Sequence, residues 1–507
     1  MAKRPNILLI TTDQHHYEAL GAVNDKLSTP NLDRLCNMGT RYERAYCPNP
    51  VCTPSRASII TGQYPSHHGA WTIGVDLDED RPFLGDWLAG AGYRTGLVGK
   101  AHFTSLAAPS LESQPTLRDL DFWGGFNGPW YGFQHIELAR NHADESHVGQ
   151  HYARWLEDKG LADWREYFQP LPGETAAHAP EEHACGHYWA REGRSWALPD
   201  ELHYTRWTGE RSAAFIEAGE GPFFLWASFH DPHPPYTVPE PWASMYDPAD
   251  MEPGRLVPGE HDANPPHFAA TQQEAPDFAS WHRPHEAHGC ESHLYPEEEL
   301  KKDLAVYYGM ISFIDAEVGR LLDLLEARGE LDDTLIVFTT DHGHFLGQHG
   351  LVAKGPFHYE DLIRIPFIVA WPGEVPAGAV SDALQSLVDL APSFLEAAGA
   401  EVPGSVQGRS QLATWRGGAA VRSHAICENR HNPVMPHLAT YVERDAKITV
   451  YREGEMGELF DLAADPGELR NLWDAPEAAG LKARMLQGFV QARLAAEPTP
   501  APRRAGA

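Results

Sequence analysis

The chain has 507 residues, of which 42% are hydrophobic and 22% charged, and it carries a formal net charge of −31. That length accommodates one large domain and a smaller one around a well-buried core, and the composition is that of an ordinary soluble globular protein. So strong a negative charge excludes nucleic acid and anionic membrane surfaces as partners, because it repels both at long range. An anionic ligand must therefore be collected by a local basic pocket.

At the N-terminus Lys3 and Arg4 precede an apolar run, Ile7-Leu8-Leu9-Ile10, that ends in Thr11-Thr12-Asp13. The run is too short for a secretion signal and reads as a first buried strand. No apolar stretch reaches transmembrane length. Cysteines 36, 47, 52, 185, 290 and 427 are too scattered for a disulfide scaffold, so a cytoplasmic protein with reduced thiols is expected.

The strand over 6–10 delivers Asp13 and Gln14 at its C-terminal end, where open parallel α/β sheets place their sites. Two oxygen-bearing residues there either cap a helix or act as ligands. Thr29-Pro30-Asn31-Leu32-Asp33-Arg34-Leu35 follows with apolar residues at helical spacing. Next comes Cys52-Thr53-Pro54-Ser55-Arg56-Ala57-Ser58-Ile59-Ile60-Thr61-Gly62, a turn running into a short helix. A helix start carries partial positive charge and free N–H groups, so Cys52 is either a buried structural cysteine or a reactive group beside an anion.

A helix near 84–91 and a strand over 94–98 lead to Gly99-Lys100-Ala101-His102. A lysine and a histidine two apart on an extended segment project to one side and can reach one anion; a surface lysine beside a satisfied histidine is the alternative. Residues 104–205 lack steady periodicity and are rich in Trp, His, Gly and Glu, as in Gly128-Pro129-Trp130-Tyr131-Gly132-Phe133 and Gly186-His187-Tyr188-Trp189. They read as long substrate-facing loops. A helix over 204–218 and a strand over 223–229 end in His230-Asp231-Pro232-His233, a proline-fixed turn that suits a general acid near an anion.

A second irregular insert spans 240–297. Its His282, His285, His288, Cys290 and His293 lack the paired geometry of a soft metal site and read as a solvated loop. Residues 298–329 form a long amphipathic helix with Leu304, Tyr308, Ile311, Ile314, Val318, Leu321 and Leu325 on one stripe and Gly329 as its stop. The strand over 334–340 is apolar enough for a buried parallel position and enters Asp341-His342-Gly343. Leu351-Val352-Ala353-Lys354-Gly355-Pro356, a strand over 365–371 and a helix over 384–398 follow. Residues 439–452 alternate like a hairpin with a turn at Glu453-Gly454-Glu455, a helix over 475–496 closes the fold, and the tail over 496–507 is expected to be disordered.

These elements resemble the formylglycine-dependent sulfatases of the alkaline phosphatase superfamily. Residues 52–56 with Thr61-Gly62 are similar to that family's C-x-P-S-R and T-G signature, and Gly99-Lys100-Ala101-His102 to its G-K-x-H element. His233 lies in a strand-end P-H-x-P element, Asp341-His342-Gly343 resembles the second metal pair, and Lys354 falls in the element whose lysine contacts sulfate. Glu458-Leu459-Phe460-Asp461-Leu462, Asp465-Pro466-Gly467-Glu468 and Asn471-Leu472 resemble the C-terminal E-L-Y-D-L, D-P-x-E and N-L run. Each motif alone is moderately specific; their occurrence in order is strong.

The resemblance implies an α/β fold with a large mixed, mostly parallel sheet flanked by helices, and a smaller C-terminal α+β subdomain. The catalytic domain would span 1–380 with inserts near 104–205 and 240–297, and the subdomain 381–495. It implies that Cys52 is oxidised by a formylglycine-generating enzyme to an aldehyde whose hydrate is the nucleophile. Asp13, Gln14, Asp341 and His342 would hold one divalent ion, Ca²⁺ by the hardness of the oxygens, with Mg²⁺ or Mn²⁺ open. Arg56, Lys100 and Lys354 would spread positive charge over the transferring group, Lys100 and His102 would contact the sulfate and the nucleophile, and His233 would protonate the departing alkoxide.

The implied substrate is a small-molecule or saccharide sulfate ester. Gln14 stands where many members have aspartate and His342 where many have asparagine; choline sulfatases and phosphonate monoester hydrolases share both, which keeps phosphonate monoester or phosphodiester hydrolysis as the alternative. An inactive binding protein on this scaffold would have left gaps in the residue set, and a thiol enzyme using unmodified Cys52 lacks a local general base.

Overall fold

The computed structural model describes residues 4–107, 109–143, 145–171, 175–176, 195–279, 288–430 and 436–497. Its centre is an eight-stranded sheet built from β1 (Asn6–Thr12), β2 (Gly39–Tyr42), β3 (Arg94–Gly99), β4 (His135–Leu138), β5 (Phe223–Ser228), β6 (Thr334–Thr340), β7 (Phe367–Ala370) and β8 (Ala379–Ser381). The order across the sheet is β8-β2-β7-β6-β1-β5-β3-β4. Only β7 runs against the others. The sheet is therefore mixed and mostly parallel, as expected.

Strands in the middle of such a sheet are covered on both faces, which is why β1, β5 and β6 are nearly continuous apolar runs. Successive side chains alternate between two cores. Ile7, Leu9, Phe224, Trp226, Leu335 and Val337 enter one, and Leu8, Ile10, Leu225, Ala227, Ile336 and Phe338 enter the other. The second core is closed by α1 (Pro30–Met38), by α4 (Tyr204–Glu217) and by the 31-residue α5 (Glu297–Ala327), whose stripe from Leu304 to Leu325 is buried. Gly329, at φ +67°, follows its end in the left-handed conformation. The first core is closed by α2 (Cys52–Thr61) and α6 (Leu390–Ala397).

Four corrections follow. The 104–205 segment is not loop alone: it supplies β4 at the sheet edge and α3 (Gln150–Asp158), and buries Val148, Tyr152, Leu156 and Trp164 against Trp207 of α4 in a core of its own. Trp130 and Tyr131 pack on Phe103 inside the first core and do not face substrate; residues 186–189 lie outside the described residues. The helix expected over 384–398 begins only at Leu390, because Gln385–Ser386 pairs as a short strand with Ala45–Tyr46. The alternating run over 439–452 is two strands, reversed at Glu443–Asp445.

The C-terminal subdomain carries a separate antiparallel sheet, β9 (Ala425–Arg430), β10 (His437–Val442), β11 (Ala446–Tyr451) and β12 (Gly457–Asp461), in that order. The turn expected at 453–455 joins β11 to β12. On one face Ile426, Tyr441, Ile448 and Leu459 pack on Met485 and Phe489 of α7 (Ala479–Ala495). On the other, Cys427 and Phe460 join the first core, and Glu428 N–H donates to the Pro48 carbonyl at 2.7 Å, just before the Cys52 turn. From residue 498 the tail lies outside the described residues. Among the described residues no helix is long and apolar enough to cross a membrane.

Candidate active site

Four neighbouring parallel strands, β6, β1, β5 and β3, end at one edge of the sheet and deliver Asp341-His342, Asp13-Gln14, His230–His233 and Lys100–His102. Helix α2 points its N-terminus at the same edge. All ten of its residues are buried, and Val51 offers no side-chain cap. Gly62 ends it at φ +64°, where a Cβ would meet Val406 at 2.8 Å. A glycine is required there both for the turn and for the close approach.

One ligand atom each from Asp13, Cys52, Asp341 and His342 lie within 4.8 Å of one another, and all four residues are buried. Among the described residues no other such cluster of His, Cys, Asp and Glu exists. Arg56, fully buried, ties the carboxylates together: Nε donates to Asp341 Oδ2 at 2.8 Å and an Nη reaches Asp13 Oδ2 at 3.4 Å. Its other Nη donates to the Lys100 carbonyl and to Ser228 Oγ. The guanidinium thus holds the two acids and two strand ends.

The residues fit a divalent ion. Burial opposes ionisation of Asp13, but Lys100, His233, His142 and Arg56 outweigh it and hold the carboxyl well below the usual range. Asp341 is likewise lowered, with burial and Asp13 opposed by Arg56. Gln14, at φ +62°, keeps its buried Oε1 without a hydrogen-bond partner while its Nε2 donates to His344 Nδ1 at 2.7 Å. An orphaned amide oxygen beside two carboxylates is what a hard cation satisfies. His342 Nδ1 donates to the Gly343 carbonyl at 3.0 Å, which leaves Nε2 as a lone pair facing Cys52 Sγ at 3.3 Å.

Lys354 Nζ stands 3.4 Å from Cys52 Sγ and 3.2 Å from His233 Nε2. His233 Nδ1 donates to the Pro234 carbonyl, so Nε2 is the acceptor in the neutral ring. Burial, His142 and Lys354 all depress the His233 pKa well below its ordinary value. Burial and Asp13 push the Cys52 thiol up, Lys100 and Lys354 pull it down, and the balance leaves it at about 7. His102 is brought to the same edge but makes no side-chain hydrogen bond: both ring nitrogens are buried and unpartnered. Its pKa is depressed by burial, Arg140 and Lys100.

Sequence reasoning missed His142. It follows the edge strand β4, places Nε2 within 2.5 Å of Lys100 Nζ and donates from Nδ1 to Glu145 at 3.2 Å. Its ring stacks on His233 with centroids 3.9 Å apart. Only the reading of β4 as a sheet strand would have found it, because a strand end is where the other site residues sit. The histidine-rich insert is also not a solvated loop in its described part. His293 bonds the Gly289 carbonyl and accepts from Val352 N–H, and Cys290 is buried. A Cβ on Gly289 would lie 2.6 Å from the Lys354 carbonyl, so the insert backs the lysine segment. His282 and His285 lie outside the described residues.

The sulfatase family model matches residues 5–400, which includes every residue of this site. The chain belongs to the sulfatase family. It is thereby a sulfuric ester hydrolase on an alkaline phosphatase-like scaffold. A model of the N-sulphoglucosamine sulphohydrolase C-terminal region matches residues 347–495 of this sulfatase. An arylsulfatase of Clostridium perfringens is 29% identical over 94% of the chain and 91% of its own length. An N-acetylglucosamine-6-O-sulfatase of Bacteroides thetaiotaomicron is 27% identical over 96% of the chain and 85% of its own. Among solved structures, the phosphonate monoester hydrolase of Agrobacterium radiobacter superposes with a TM-score of 0.76 at 25% identity, covering 97% of this chain and 96% of that one.

Proposed function

We propose that this sulfatase hydrolyses the sulfate ester of a small molecule or saccharide through formylglycine at position 52, with one divalent ion, Ca²⁺ by its ligand set, held by Asp13, Gln14, Asp341 and His342. The observation that carries the reading is the meeting of Asp13, Cys52, Asp341 and His342 within 4.8 Å. Soft thiolate against hard-cation ligands is a poor match, whereas a hydrated aldehyde offers oxygen to the same ion. The bound ion would polarise a sulfuryl oxygen and favour the ionised hydroxyl.

In this reading one hydroxyl of the residue-52 diol attacks sulfur, the S–O bond to the alcohol breaks, and the sulfate is left on residue 52. Lys100 and Lys354 flank the group and counter its negative charge. The departing alkoxide takes the proton shared between Lys354 Nζ and His233 Nε2. Deprotonation of the second hydroxyl then expels sulfate by C–O cleavage and restores the aldehyde, which water rehydrates. A serine would stop at the sulfate ester, since it has no second hydroxyl.

A relative named for N-acetylglucosamine 6-O-sulfate supports a saccharide as the alcohol. A formylglycine-generating enzyme as maturation partner and a cytoplasmic location complete the proposal. The test is mass spectrometry across residue 52 of an active preparation: the peptide is expected about 18 Da lighter than its cysteine form. Activity in protein carrying only cysteine would overturn the reading. The phosphonate hydrolase likeness keeps a second reading in play, and kinetics on matched sulfate, phosphonate and phosphodiester esters separates the two.

A further inference from the structure

Just past the end of β3 the backbone takes a conformation that its sequence does not favour. His102 has φ +60°, the left-handed region that costs energy for any residue with a Cβ. The residue is 3% exposed, and among the described residues neither of its ring nitrogens has a hydrogen-bond partner. The charges that act on the ring are those of Arg140, Lys100, His142 and Arg56, and the last three belong to the site described above. A residue so placed, with its polar atoms unpaired, persists only where its surroundings over-determine it.

What over-determines it is Glu112, which is 1% exposed. Its carboxylate accepts the N–H groups of three consecutive residues: Oε1 takes that of His102 at 2.8 Å, and Oε2 takes those of Phe103 at 2.9 Å and Thr104 at 2.8 Å. Thr104 Oγ1 donates to the same Oε2 at 3.1 Å, and Arg140 Nε lies 3.9 Å from Oε1. Successive N–H groups around a left-handed residue form a concavity that takes an anion, and here the chain supplies the anion itself. The next N–H, that of Ser105, goes to Asp76, and the Phe103 carbonyl accepts from Leu77 N–H. The backbone over 102–105 is therefore held at every N–H. Glu112 belongs to the 104–205 insert, and Gln150 Nε2, at the head of α3, donates to the carbonyl of its neighbour Leu111 at 3.0 Å.

We propose that Glu112 is a positioning residue of this enzyme: through the N–H groups of His102, Phe103 and Thr104 it sets the left-handed bend that keeps the His102 ring among the cations of the sulfate site. The inference rests on the reading in which His102 meets the transferring group, and it names what holds the ring there. It also gives the insert a part in catalysis, since the insert supplies the carboxylate. Glutamine at 112 would present one acceptor oxygen and set an NH₂ group against N–H donors, and aspartate would withdraw the carboxylate by one methylene.

The test measures Glu112→Gln and Glu112→Asp in the full-length enzyme, each alone and combined with His102→Ala, on 4-nitrophenyl sulfate. Each alone is expected to lower kcat roughly tenfold or more while KM moves less than about threefold. In the His102→Ala background the same changes are expected to cost less than about twofold, because the ring they position is gone. An equal loss in both backgrounds would mean that Glu112 supports only the fold and would overturn the proposal, as would full activity of both Glu112 variants. Where glutamine prevents folding, the aspartate variant carries the comparison. A second readout needs no turnover: the His102 ring signal, assigned in NMR spectra of isotope-labelled histidine by its loss in His102→Ala, is expected to shift in both Glu112 variants. An unmoved signal would overturn the proposal whatever the activity. A shifted signal with His102→Ala fully active would support the hold of Glu112 on the ring and count instead against the part given to His102 in the sulfatase reading.

Discussion

His142 lies face to face on His233, with ring planes 11° from parallel. The two imidazoles come from different strand ends, and each touches a different lysine: His142 bonds Lys100 and His233 bonds Lys354. The stack therefore couples the two cationic walls of the sulfate site. His142→Ala is expected to lower kcat/KM by roughly 10-fold or more by letting Lys100 and His233 shift together. Retention of full activity, measured with the fold verified by circular dichroism, would remove His142 from the site.

Arg56 is fully buried between Asp13 and Asp341, and it touches both of the carboxylates proposed to hold the metal. Arg56→Lys keeps the charge but not the fork that reaches both acids and the Lys100 carbonyl. Metal affinity is expected to fall by about 10- to 100-fold, read by equilibrium dialysis with elemental analysis, with a lower Tm besides.

Asp341→Ala is expected to abolish bound metal and activity together, because Asp341 Oδ1 also anchors the N–H groups of Gln14 and His342. Chelation of the unaltered protein should reproduce the loss and added Ca²⁺ should reverse it. Full turnover in demonstrably metal-free protein would refute the assignment.

Lys100 sits between Asp13 and His142 with its side chain fully buried. Lys100→Ala is expected to lower kcat/KM on a sulfate ester by roughly 10²-fold, the scale of losing one transition-state charge contact. The unaltered enzyme should turn over a sulfate ester with higher kcat/KM than the phosphonate or phosphodiester of the same leaving group. A reversed order would favour the phosphonate hydrolase reading.

Away from the metal cluster, His349 is 3.3 Å from Asp361 and 3.4 Å from Glu260. Burial opposes its charge, but the two carboxylates outweigh burial and raise its pKa to about 9. A folded-state pKa above that of the unfolded chain gives stabilisation that is complete below about pH 6.5 and is lost as pH rises through about 9. His349→Gln is expected to cost on the order of 2–3 kcal/mol at pH 6 and much less at pH 10, measured by urea unfolding at each pH.

Much of this site was legible because each catalytic motif is a short apolar strand followed at once by a polar group. Asp13, Lys100, His233 and Asp341 all announce themselves in that way, and parallel pairing gathers their ends. Arg56 was legible as part of the site but not in its partners, since a spacing says nothing of which group a guanidinium meets across 285 residues of chain. His142 was not legible, because it follows a four-residue strand in a segment dominated by aromatic packing. The same applies to Gly289, whose contact with Lys354 exists only once the insert has folded back.

Helix α2 is buried along its whole length, and Cys52 at its head is 1% exposed. In the proposed reading, a modifying enzyme that must reach Cys52 cannot do so once this helix has docked against the sheet. Conversion of Cys52 would then belong to the interval between synthesis and folding. A preparation would then be a mixture of fully competent and permanently inert molecules with the same fold and the same melting curve. Its specific activity would record the race between the modifying enzyme and the folding chain.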